Sequence, residues 1–353
     1  MEFIYEYGLF LAKVATFVAA ILLVIGAAAQ FAGRNKHDGE GYIEVHNLNE
    51  SLEDMSQALK DYVLDKDVLK QQHKDEKKQH KKEAKLRAKQ LKRGEDLEKE
   101  HKKRVFVLDF DGDISASDVE PMREEITTVL SLATEQDEVF LRLESAGGMV
   151  HSYGLAASQL QRIRDQNIPL VIAVDRVAAS GGYMMACLAD RLIAAPFAVL
   201  GSIGVVAQIP NFNRLLKKHA IDIEMLTAGE HKRTLTMFGE NTDKDRKKFV
   251  EDLEDTHLLF KEFVAEHRPQ LNMEQVANGD VWFGKRALEH QLIDEIRTSD
   301  DYLVKACEES NVYQVRFVLK KSLSERLGGM ISGSLDRVLL TWWERAQRSR
   351  FFS

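Results

Sequence analysis

The chain has 353 residues, 44% of them hydrophobic and 30% charged, with five prolines and a formal net charge of −7. That is long enough for one large α/β domain with appendages, and too apolar for a chain that is disordered throughout. Two cysteines, Cys187 and Cys307, exclude a disulfide framework, and no Cys/His cluster has zinc-site spacing, so no metal and no cofactor is expected.

From Gly8 to Gly33 the only charged side chain is Lys13, and these 26 residues exceed the ~20 that a helix needs to cross a bilayer. Lys13 lies near one end, where its stem can carry the ammonium to the headgroups. Glu2 and Glu6 precede the run, which is longer than a secretory core, so residues 1–33 read as a retained membrane anchor. Residues 34–103 read as a polar connector followed by a basic, partly helical stalk. Residues 66–104 hold sixteen Lys/Arg against eight Asp/Glu, a local charge of +8 that leaves the rest of the chain at −15. The apolar residues of this block are too sparse for a long coiled-coil seam. A solvated spacer is the plain reading, and contact with anionic headgroups the alternative. No aromatic residue interleaves with the charges, so no nucleic-acid partner is expected.

Residues 104–321 read as the globular domain. RVFVLDF (104–110) is a strand, and Ser117-Asp118 opens a helix with Val119, Met122, Ile126, Val129 and Leu130 at helical spacing. EVFLRL (138–143) is a second strand, followed by a glycine turn and a helix across GLAASQLQRIRDQ. PLVIAVD (169–175) is the continuous apolar run of a buried parallel strand. RLIAAP is another strand, and IDIEMLTAG, the helix around KKFVEDLEDTHLLFKEFVAEH and YQVRFVLKK extend the alternation. The pattern predicts an α/β fold with a mostly parallel sheet, flanking helices and right-handed crossovers. Asp175, Arg176, Asp190 and Arg191 interrupt the apolar stretch 168–208, which therefore reads as core and not as a second span. Residues 322–353 carry Leu335, Val338, Leu339, Trp342 and Trp343, a helical tail packed on its own domain or offered to another subunit or a membrane surface.

Two glycine turns follow strands: Gly147-Gly148 in ESAGGMV, and Gly181-Gly182 directly after Ser180 in DRVAASGGYMMACLADRLIAAP. A serine attacking a carbonyl creates an oxyanion that needs two fixed N–H donors. Glycine permits the close backbone approach and the dihedrals. Gly148 and Gly181 are the candidate donors, and Ser180 the candidate nucleophile. For the base, His151 and His231 are the histidines nearest plausible loops, while Lys232 follows His231 directly. A Ser–Lys pair works when the amine is neutral, which burial can favour. Met149, Met184 and Met185 suggest an apolar, adaptable substrate subsite.

DRVAASGGYMMA, LGSIGV and AGEHKR together resemble the SppA/SohB family of bacterial membrane serine peptidases, whose fold is related to the Clp protease subunit and crotonase. The layout of anchor, basic stalk and one catalytic domain is most similar to the SohB branch. The resemblance implies a ClpP/crotonase-like domain in which Ser180 is the nucleophile and Lys232 the general base. It further implies that Ser202 orients the lysine and that Gly148 and Gly181 form the oxyanion hole. GDVWFGKRALEHQLIDEI (279–296) is similar to a structural block of the family. Two departures stand out: Ala146 replaces the proline of the usual Ser-Pro-Gly-Gly turn, and Gln291 replaces a glycine. The first loses a fixed φ and predicts a less rigid turn.

The implied activity is a membrane-anchored serine endopeptidase acting through an acyl-enzyme on unfolded peptides, signal-peptide remnants or envelope proteins. The lipid bilayer and further copies of the chain are its implied partners. The competing readings are a catalytically silent membrane-linked scaffold and an acyl-CoA-binding crotonase-like protein. The implied location is the bacterial inner membrane, single-pass. Basic residues after the anchor favour a cytoplasmic catalytic domain, and analogy with the family a periplasmic one.

Overall fold

The computed structural model describes residues 41–65, 102–229 and 231–319, with isolated positions at 7–10, 13, 14, 16, 17, 78 and 82. The chain divides into two compact units, residues 43–317 and the two ends, 1–42 with 318–353. Among the described residues no helix is long and apolar enough to cross a membrane. The expected anchor and stalk lie almost wholly outside the described residues, and the tail from 322 lies wholly outside them.

In chain order the first elements are β1 (Gly41–Asn47), α1 (Leu48–Val63), β2 (Arg104–Gly112), α2 (Val119–Leu130), β3 (Glu138–Ser145) and α3 (Val150–Arg164). Then come β4 (Leu170–Val174), β5 (Val177–Ala179), α4 (Gly181–Ala186), β6 (Arg191–Ala194), β7 (Val199–Gly201) and α5 (Asn213–Lys218). The last are α6 (Asp243–His267), α7 (Met273–Val276), β8 (Val281–Phe283), α8 (Gly284–Glu289), β9 (Glu295–Ile296), α9 (Ser299–Glu309) and β10 (Asn311–Leu319).

The main path of the sheet runs β1-β10-β2-β3-β4-β6-β9. Every pair from β10 to β9 on it is parallel. β3 does something more: its last residue, Ser145, pairs with Ala178 of β5, and β5 runs on parallel to β7. The antiparallel β8 closes that branch. The sheet therefore forks at the carboxyl end of β3, and both glycine turns lie at the fork.

Side chains alternate between two cores, as strand geometry requires. Phe106, Leu108 and Phe110 join Met122 and Ile126 of α2 and Leu160 and Ile163 of α3 in the larger one. Val105, Val107 and Phe140 pack with Leu303 of α9, and Leu48 of α1 lies against them. Burial on both faces explains why these strands read as unbroken apolar runs.

Two stretches differ from expectation. Part of the expected polar connector is structured as β1 and α1. No residue of α1 is buried, and a polar residue fixes it: Asn49 Nδ2 donates to the carbonyls of Cys307 and Ser310 (2.8 and 2.9 Å), and its Oδ1 accepts the Val312 N–H (2.7 Å). IDIEMLTAG (221–229) forms no strand. Its alternating Ile221 and Ile223 are 48% and 49% exposed and Leu226 93%, because the fold brings no strand edge to it.

One carboxyl sits in the wrong medium. Glu125 of α2 is 5% exposed; its Oε1 accepts the Phe317 N–H (2.8 Å), while its Oε2 has no partner among the described residues. Burial pushes this carboxyl up to about 7; the Phe317 N–H opposes the shift, and the nearby carboxylates of Asp109 and Asp118 add to it.

Candidate active site

β5 ends at Ala179 and α4 begins at Gly181, so Ser180 alone makes the turn between them. It does so at φ 52° and ψ −119°, a conformation that costs a non-glycine residue on the order of 1–3 kcal/mol. Its N–H donates to the Gly201 carbonyl (2.8 Å), and its carbonyl accepts the Met184 N–H (3.0 Å). The residues after it have no room for a side chain. A Cβ on Gly181 would lie 2.4 Å from Tyr153 Cγ, and one on Gly182 2.5 Å from the Ser145 carbonyl oxygen. Ser180 is half-buried at the head of this turn.

The second turn abuts the first. Gly147 has φ 87°, and a Cβ there would meet the Ala179 carbonyl oxygen and the Gly181 nitrogen at 2.7 Å each. A Cβ on Gly148 would lie 2.1 Å from the Ile114 carbonyl oxygen, which itself accepts the Met149 N–H (2.9 Å). Among the described residues, no acceptor takes the N–H of Gly148 or of Gly181. Beneath the turn runs a buried chain of hydroxyls. Tyr153, fully buried, donates to the Asp113 carbonyl (2.7 Å). With that hydrogen committed, Ser145 Oγ donates to Tyr153 Oη (2.5 Å) and accepts the Gly147 N–H (3.1 Å). Burial raises the Tyr153 hydroxyl above the usual range, so it stays a donor. The turn lacks a proline, yet it is tied from both sides.

Ser202 shares the positive φ of Ser180, 52°. It follows Gly201, whose carbonyl holds Ser180, and its own N–H donates to the Asp280 carbonyl (2.7 Å) ahead of β8. Gly201 stands at φ 96°, and a side chain there would also press on the Asp280 carbonyl oxygen and Trp282 Cδ1 at 3.0 Å each. Backbone hydrogen bonds thus run from Ser180 through β7 to β8.

A cavity of about 20 Å³ opens at Ser180. Gly148, Val150, Gly181 and Met184 form one side of it. Gly204, Val205 and two residues of α6, Thr256 and Phe260, line it as well. Of the three methionines expected at a subsite, Met184 lines this cavity; Met149 is 40% exposed, and Met185 is buried in the core. Lys232 does not line it. It lies exposed beyond Gly229, whose carbonyl accepts its N–H (3.2 Å). His231 is likewise exposed, and His151 lies exposed on α3. The fold thus brings Ser180, Gly148, Gly181 and Met184 to one place, with Ser202 one residue past the Gly201 contact. Lys232 is not among the residues that line the cavity there.

Sequence reasoning passed over Thr256, Phe260 and His257, whose Nε2 donates to the Ile203 carbonyl (3.2 Å). All three sit on a long polar helix in which nothing local marks them. Among the described residues no group of three or more His, Cys, Asp or Glu side chains is arranged to hold a metal ion. A larger cavity of about 440 Å³, lined by Arg104, Phe106 and Tyr313 among others, lies at the opposite end of β2 from the fork.

The strained serine between paired glycine turns is matched by sequence relationships along nearly the whole chain. Residues 2–160 match the Peptidase family S49 N-terminal description, and residues 162–313 match Peptidase family S49. The chain belongs to peptidase family S49. Within S49 it is 51% identical over 333 residues to the probable protease SohB of Haemophilus influenzae, covering 94% of both chains. It is 54% identical over 242 residues to the probable protease SohB of Buchnera aphidicola from Acyrthosiphon pisum, covering 69% of this chain and 72% of that one. It is also 29% identical over 171 residues to Protease 4 of Haemophilus influenzae, covering 48% of this chain and 28% of that one. These relationships put the chain in the SppA/SohB family and make it a serine-type peptidase acting on peptides or proteins. The scaffold and acyl-CoA readings give way to that assignment.

Proposed function

We propose that Ser180 attacks the scissile carbonyl of an extended peptide to form an acyl-enzyme, and that the N–H groups of Gly148 and Gly181 receive the oxyanion. The observation that carries this reading is the Ser180 backbone, held at φ 52° at the head of α4 against the Gly147-Gly148 turn. Strain of this kind persists where the surrounding contacts enforce it, which is characteristic of functional turns.

Lys232 is the proposed base, with Ser202 as the residue that orients it. Lys232 is exposed and does not line the cavity, so this reading has its side chain reach Ser180 when peptide is bound. The Ser180 proton then passes to Lys232 Nζ and on to the leaving amine. A water gives its proton to the same nitrogen as it attacks the acyl carbon; that proton then passes to Ser180 Oγ as the ester bond breaks and the acid product leaves.

The substrates in this reading are unfolded peptides, signal-peptide remnants or envelope proteins. Residues 1–33 anchor the chain in the bacterial inner membrane and the basic stalk spaces the domain from it, with charge favouring the cytoplasmic face. Further copies of the chain are proposed partners on the family resemblance alone.

Peptide hydrolysis by the detergent-solubilised full chain tests the assignment. Ser180→Ala and Lys232→Met are expected to be inactive and His231→Ala active. Activity surviving in Lys232→Met but lost in His231→Ala would replace the lysine by a histidine mechanism.

A further inference from the structure

The cavity at Ser180 is closed on one side by residues that cannot recede. Gly148 is pressed against Ile114 and Gly181 against Tyr153, at separations that would not admit even a methyl group. Two residues of α6 also line it. Thr256 and Phe260 are four residues apart and so share one face of the helix. Phe260 is 5% exposed and, with Val264, is one of the two residues α6 buries. The space left between the walls is about 20 Å³, little more than the ~10–15 Å³ that holds one water.

The cavity shares Gly148, Ser180 and Gly181 with the proposed reaction centre. A carbonyl seated there brings its own Cα substituent into this space first. We infer that the cavity is the subsite for the residue preceding the scissile bond (P1), and that Phe260 sets its depth so that only alanine-sized side chains fit. This rests on the reading of Ser180 as nucleophile. Phe260 is then a specificity-determining residue, and the preferred substrate is a peptide with a small residue before the cut.

The test is a peptide series identical except for Ala, Val, Leu or Phe at P1. It is read as the ratio of kcat/KM for Leu to that for Ala in wild type, Phe260→Leu and Phe260→Ala. A ratio on one preparation cancels the fraction of active enzyme, so a variant that folds poorly still reports. The wild-type ratio is expected at ~0.1 or below, rising at least ~10-fold in Phe260→Ala with Phe260→Leu between, the scale set by a methylene that does not fit. Equal cleavage of the Leu and Ala peptides by wild type, or a ratio unmoved in Phe260→Ala, overturns the size limit. Peptidyl fluorophosphonates carrying Ala or Leu at P1, followed by mass spectrometry, separate the two readings. Equal adducts on Ser180 sink the size limit alone. No adduct on Ser180, with cleavage persisting in Ser180→Ala, sinks the nucleophile reading and this inference with it.

Discussion

Gly147 faces Ser180 so closely that a Cβ on the glycine would lie 2.8 Å from the Cβ of the serine. A substitution at Gly147 therefore presses on the side chain of the proposed nucleophile while leaving its hydroxyl in place. Gly147→Ala also meets the φ of 87° that glycine tolerates and alanine does not. The variant is expected to lose ~10²–10³-fold in kcat, the scale of one misplaced oxyanion donor. Steady-state kinetics beside a circular-dichroism check of folding would show it, and kcat within twofold of wild type would contradict it.

Tyr153→Phe keeps the ring under Gly181 but removes the hydroxyl that joins Ser145 to Asp113. The buried Ser145 hydroxyl loses its partner, while the exposed Asp113 carbonyl keeps the Ala116 N–H, so unfolding in urea should show a loss of ~1–3 kcal/mol. Ser145→Ala leaves the Tyr153–Asp113 bond and takes the acceptor from the Gly147 N–H. It should therefore cost less stability and more kcat than Tyr153→Phe.

Glu125 gives stability a pH dependence of unusual sign. Its folded value of about 7 lies above the ordinary 4.5, so the folded chain binds more protons than the unfolded one between those limits. The Glu125 contribution is unimpaired below pH 4.5 and falls as pH rises to 7, by an amount on the order of 3 kcal/mol for this buried group. Glu125→Gln should accordingly be the more stable protein at pH 8 and near parity at pH 4.5. Denaturant midpoints at the two pH values would decide it; equal differences at both would rule out the titration.

Cys187 is fully buried on the larger core, and burial pushes its thiol up to about 12. Iodoacetamide at pH 8 should leave it unmodified in the native protein and alkylate it in urea, read by peptide mass mapping. Rapid native alkylation would mean that α4 opens readily.

The parts of the fold that were legible in the sequence are those buried on two sides. β2, β3 and β4 announce themselves as apolar runs because both faces of each are covered. β5, β7 and β8 have three residues each, too few for any period, and they make the fork that holds Ser180. β1 and α1 escaped notice because α1 buries nothing and hangs on Asn49, a polar contact with no periodicity. Ser180, Gly148 and Gly181 could be proposed from glycine turns after strands, whereas the choice of Lys232 over the histidines rested on family resemblance. Thr256 and Phe260 are ordinary letters in a charged helix; only the three-dimensional path of α6 sets them beside the serine.

The fork also governs where the chain can change length. β5 lies between β3 and β7, and the turns bearing Gly147, Ser180 and Ser202 leave the ends of those three strands. One residue added or removed within 138–202 would shift a ladder and misalign all three at once. Between α5 and α6 most residues are exposed and no strand register constrains them. Insertions and deletions among natural variants, or in an engineered library, should therefore collect in that stretch and thin out sharply before it.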